Sequence, residues 1–86
     1  MKLDRNVNRG GKGKYALLNL RTNKIEWGIT GEPDEFFVIK LKDRHARMAL
    51  LAYADSISGI DSEFSDEVRE LADRAGAHSP FCEDPD

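Results

Sequence analysis

Along this chain apolar residues first alternate with polar ones and then recur at helical spacing. Ile25, Trp27 and Ile29 alternate with Glu26, Gly28 and Thr30, the period-2 pattern of a strand with one buried face. A short apolar segment, Tyr15 to Leu20, precedes it. Between the two, Arg21-Thr22-Asn23-Lys24 has the length and chemistry of a hairpin turn, since Asn tolerates the left-handed backbone such turns need. Gly31-Glu32-Pro33-Asp34 breaks the pattern. Phe36 to Lys42 then reads as a third strand, with Phe37, Ile39 and Leu41 on one side and Phe36, Val38, Lys40 and Lys42 on the other. The predicted strands are 15–20, 25–30 and 36–42.

Behind Asp43, a suitable N-cap, Ala46, Ala49, Leu50, Tyr53 and Ile57 recur at helical spacing up to Gly59. Asp61 offers a second cap, followed by Phe64, Val68, Leu71, Ala72 and Ala75 on one face and a stop at Gly76. The spacing predicts helices over 44–58 and 62–75. Sequential strands joined by short turns pair antiparallel, and the helix stripes need a sheet face to cover. The expected fold is therefore α+β, order βββαα: a small three-stranded antiparallel sheet packed on a two-helix hairpin.

The length, 86 residues, allows one domain over 1–86 with a single thin core. Residues 1–14 read as a basic arm rich in Asn and Gly, and 77–86, with Pro80 and Pro85, as an irregular tail pinned by Phe81. The longest apolar run, Met48 to Ala54, has seven residues, far short of the ~20 a spanning helix needs, so no membrane role is expected. No apolar stretch follows the basic start and Cys82 is the only cysteine. Both features point to the cytoplasm.

Charge changes the picture most. Through Arg47 there are eleven Lys or Arg against six Asp or Glu, and from Met48 onward two against ten: +5 and −8. Such asymmetry steers encounters with partners. Arg5, Arg9, Lys12 and Lys14 of the arm, with Lys40 and Lys42 and the nearby Arg44 and Arg47, could follow a nucleic-acid backbone; the plainer reading is a soluble arm that folds against the acidic second helix of its own or a neighbouring molecule. Glu63, Asp66, Glu67, Glu70 and Asp73 crowd the second helix, where Glu70 with Arg74 and Arg69 with Asp73 stand at ordinary ion-pair spacing. They form a solvated face or an acidic surface for a basic partner. Phe36 and Val38, opposite Phe37 and Ile39, lie on the sheet face the helices cannot reach, covered by arm and tail or free for a partner or a second copy.

No constellation for bond-breaking chemistry emerges. His78 and Cys82 are four apart, but a structural zinc site wants four ligands, and His45 is the only further His or Cys. Glu83, Asp84 and Asp86 disfavour a Cys82 thiolate. None of Ser56, Ser58, Ser62, Ser65 or Ser79 sits in a nucleophile elbow. Arg9-Gly10-Gly11-Lys12-Gly13-Lys14 lacks the GxxxxGK spacing and the preceding strand of a P-loop. No catalytic residue, metal or cofactor is expected.

Met1-Lys2-Leu3-Asp4-Arg5-Asn6, Gly13-Lys14-Tyr15-Ala16-Leu17, Phe36-Phe37-Val38-Ile39-Lys40-Leu41-Lys42-Asp43, Arg74-Ala75-Gly76, Ser79-Pro80-Phe81-Cys82 and Pro85-Asp86 together resemble a family of small uncharacterised proteins of tailed bacteriophages and prophages. Members of that family carry a longer segment before the pair matching Trp27-Gly28, which a tight turn replaces here. The resemblance implies a phage accessory protein acting in the host cytoplasm and assigns no catalytic residue. The expectation is a non-enzymatic protein, monomer or homodimer, that binds and modulates a host macromolecular complex in host takeover or anti-defence, as an anti-CRISPR does. Its expected partner-binding residues are Phe36, Val38, Glu63, Asp66, Glu67 and Glu70. The alternative is nucleic-acid binding through Arg5, Arg9, Lys12, Lys14, Lys40 and Lys42.

Overall fold

The computed structural model describes residues 13–84. Its contacts separate into two compact units, one up to Val38 and one from Ile39 onward. Among the described residues the order is ββαα with a closing 3-10 turn: β1 (Leu17–Asn19), β2 (Lys24–Glu26), α1 (Ala46–Ile57), α2 (Ser62–Ala72) and Gly76–His78.

In the first unit β1 and β2 form an antiparallel hairpin, with Leu17 opposite Glu26, Leu18 opposite Ile25 and Asn19 opposite Lys24. Asn19 organises the turn. Its side-chain oxygen accepts from the amides of Arg21 at 3.0 Å and Thr22 at 3.2 Å, while its carbonyl accepts from Asn23 N at 2.7 Å. Asn23 takes the left-handed conformation the sequence called for, φ 58°. Beyond β2 the chain passes through turns: Glu32 N donates to Ile29 O, and Glu35 N to Glu32 O. Phe36 lies directly over Gly28, where an added Cβ would fall 2.3 Å from the ring.

The second unit is a helical hairpin held by small side chains. Asp61 caps α2 as expected, its carboxylate accepting from Phe64 N at 3.0 Å. Asp43 accepts from His45 N at 2.8 Å, and α1 begins one residue later than that turn, at Ala46. The buried residues of this unit's helices and closing turn are Ala46, Ala54, Ser65, Val68, Ala72, Ala75 and Gly76. Ser65 Oγ donates to the carbonyl of Ala54 at 2.7 Å. That carbonyl belongs to the last turn of α1, where Ser58 N turns to Asp55 O instead. A hydroxyl as short as serine's can reach a neighbouring helix backbone only if the two helices approach closely, and alanines at the other contact points permit it.

The end of the chain straps onto the approach to α1. Asp43 and Glu83 form a parallel bridge, with Arg44 N donating to Glu83 O and Glu83 N to Lys42 O, both at 2.9 Å. Lys42 pairs with Glu83 at 2.7 Å and Arg44 with Asp84 at 2.8 Å. Gly76, at φ 58°, donates its amide to Leu41 O at 2.8 Å.

Four expectations are corrected. Segment 36–42 is not a third strand, and among the described residues the sheet is two-stranded rather than three-stranded. The carbonyls of Lys40, Leu41 and Lys42 are occupied by Asp43 N, Gly76 N and Glu83 N, so the backbone groups a ladder would use serve a turn and the C-terminal strap. The strands 15–20 and 25–30 contract to three residues each, the helices 44–58 and 62–75 to 46–57 and 62–72. Phe81, at 75 % exposure, does not anchor the tail; Glu83 and Asp84 do.

Candidate functional site

The contact between α1 and α2 buries Ala46, Ala54, Ser65, Val68 and Ala72 and leaves the larger Tyr53 and Phe64 at its flank. On α1 the stripe through Ala46, Leu50 and Ala54 has Tyr53 on one side and Asp55 on the other; on α2 the stripe through Ser65, Val68 and Ala72 has Phe64 and Leu71 on one side and Arg69 on the other. One flank is closed by an ion pair, Arg69 to Asp55 at 2.9 Å. The opposite flank is an open apolar groove of about 600 Å³, floored by Leu50, Tyr53, Phe64, Val68 and Leu71 and edged by Glu67, Glu70 and Arg74.

The groove is shaped and oriented. Tyr53 and Phe64 meet edge to face, ring centroids 6.3 Å apart and planes at 86°, a geometry in which each ring fixes the other. Both stay about half exposed, at 52 % and 44 %. Together with Leu50 and Leu71 they leave an apolar strip open to water between the two helices. The edge is charged. Arg69 is committed across to Asp55, and the Arg74 guanidinium lies 3.5 Å from the backbone carbonyl of Glu70 rather than on its carboxylate. The carboxylates of Glu63, Asp66, Glu67 and Glu70 are exposed and, among the described residues, have no cationic partner.

The structure brings Glu67 and Glu70 to the groove and places Glu63 and Asp66 on the exposed part of the same helix. Phe36 and Val38 are half-buried, Phe36 against Gly28, whereas Phe37 and Ile39 are exposed. Of the cationic set, Arg5, Arg9 and Lys12 lie outside the described residues. Lys14 stands over the Tyr15 ring, 5.6 Å from its centroid, and Lys40 is exposed. Lys42 is engaged by Glu83 and Arg44 by Asp84, while Nη1 of Arg47 is enclosed without a hydrogen-bond partner. Arg44 holds the Asp84 carboxyl below the usual carboxylate range by a direct hydrogen bond and its charge. No three His, Cys, Asp or Glu side chains gather into a ligand set among the described residues. No helix there is long and apolar enough to cross a membrane.

The helical spacing puts Leu50, Tyr53, Phe64, Val68 and Leu71 on the core-facing stripes; Val68 is buried, Leu50 and Leu71 are half-buried, and Tyr53 and Phe64 are exposed. Helical spacing marks which residues share a face but not how far the facing helix covers each of them. No family model matches the chain, and neither a curated protein nor a solved structure matches it.

Proposed function

We propose that this chain is a non-enzymatic binding protein that occupies a surface of a host macromolecular complex, using the groove between α1 and α2 and the acidic edge beside it. One observation carries this reading: the helical hairpin buries alanines, a serine and Val68 while leaving Tyr53, Phe64 and Leu71 lining an open groove. Covering that groove removes apolar area from water, which stabilises a complex by roughly 25 cal/mol per Å². The exposed carboxylates of Glu67 and Glu70 add selectivity for a basic partner, because like charge opposite them is penalised. The phage-type resemblance supplies the setting, the cytoplasm of a bacterial host, and the class of role, host takeover or anti-defence.

The test is affinity capture from host lysate with the parent chain, Leu71→Asp and the double variant Glu67→Lys, Glu70→Lys. A complex retained by the parent and lost by both variants, with helix content unchanged by circular dichroism, is the expected result. A complex retained equally by all three contradicts the assignment of this surface.

A further inference from the structure

We infer that the groove receives an amphipathic helix bearing Lys or Arg beside its apolar stripe, presented by the partner. The inference rests on the binding role just proposed and specifies the chemistry of the occupant. Three observations lead to it. First, the floor is apolar and formed by two helices whose backbone bonds are internal, so it offers no edge to which an extended peptide could add as a strand. An extended occupant would carry unpaired amides and carbonyls onto Leu50, Phe64 and Val68; a helix satisfies its own. Second, the floor runs along α2 from Phe64 to Leu71, seven residues or about 10.5 Å at 1.5 Å per residue. An i, i+3 or i+4, i+7 stripe has the same span, so three apolar side chains of an incoming helix match it. Third, charge sets the sign of the flank: Glu67 and Glu70 edge the groove with Glu63 and Asp66 on the same helix, against Arg74 at one end.

The experiment uses the full chain and a fluorescein-labelled Leu/Lys amphipathic helix of about 15 residues, read by anisotropy and by circular dichroism of the peptide. Its controls are a scrambled peptide of identical composition and a Leu/Glu peptide with the same stripe. The Leu/Lys helix is expected to gain helicity on binding and to bind at least tenfold more tightly than either control. Glu67→Lys with Glu70→Lys, both exposed, should weaken it roughly tenfold and favour the Leu/Glu peptide instead. Equal binding of the scrambled peptide would overturn the inference, since charge alone would then suffice. So would equal binding of the Leu/Glu peptide, or dimerisation of the free chain abolished by Leu71→Asp, which would make the occupant a second copy. If lysate capture depends on the groove but no model helix binds, the inference fails and the binding role stands. If capture is indifferent to the groove variants, the binding role itself fails.

Discussion

Replacing Gly76 tests the packing that closes the helical unit. Gly76 sits at φ 58°, and a Cβ added there would lie 2.9 Å from the Arg44 carbonyl oxygen and 3.2 Å from Arg47 Cβ. Two costs combine in Gly76→Ala: about 1–2 kcal/mol for holding an L-residue in the left-handed region, and about 1–3 kcal/mol for forcing a methyl against a backbone oxygen that also sits beside the strap. A total on the order of 2–5 kcal/mol is a large share of the stability of a small domain. Gly59 is the internal control. It has open space around it and no left-handed backbone, so Gly59→Ala should be neutral or stabilising by about 0.4–1 kcal/mol through the unfolded chain. Gly76→Asn separates the two costs, because Asn tolerates the left-handed region yet brings the same Cβ. Urea unfolding followed at 222 nm should rank the parent near Gly59→Ala and well above Gly76→Asn and Gly76→Ala. Recovery of parental stability by Gly76→Asn would refute the steric part of the argument.

Further expectations follow from single contacts. Ser65→Ala leaves the buried Ala54 carbonyl without its 2.7 Å donor and should cost about 1 kcal/mol in urea unfolding; no loss would mean that bond does not hold the helices together. Asp61→Ala removes the cap on Phe64 N and should cost about 1 kcal/mol with a visible loss of helicity; an unchanged spectrum and midpoint would count against it. Asp84 titrates below the usual carboxylate range because Arg44 bonds its charged form. A carboxyl whose folded pKa is depressed stabilises above its unfolded pKa, and that contribution fades as pH falls through the folded value. NMR signals of Glu83 and Asp84 should therefore report loosening of the strap only at acid pH, and Asp84→Asn should show it already at neutral pH; identical acid profiles for both chains would contradict the assignment.

What the sequence made legible was local. Asp61 ahead of an apolar period, and Asn23 in a tight turn, carry their structural consequence in their own chemistry, and both behave as read. Segment 36–42 did not, because alternation records only which side chains could share a face and not which backbone groups are free. Here Leu41 and Lys42 give their carbonyls to Gly76 and Glu83, partners far along the chain with no periodic signature. The tail looked loose for the same reason: its prolines were visible, its bridge to Asp43 was not. The acidic residues of α2 were legible as a surface. The groove beside them was not, because helical spacing marks Tyr53, Phe64 and Leu71 as core-facing without showing how far the facing helix covers them.

Site-specific photo-crosslinking addresses the central claim most directly. A photoreactive phenylalanine analogue is placed at Tyr53, on the groove, or at Met48, which is 71 % exposed on the outward side of α1, and both proteins are irradiated in bacterial cells. The account predicts a discrete crosslinked complex from position 53 that disappears with Glu67→Lys and Glu70→Lys, and none from position 48. The same products from both positions, or none from position 53, would contradict it.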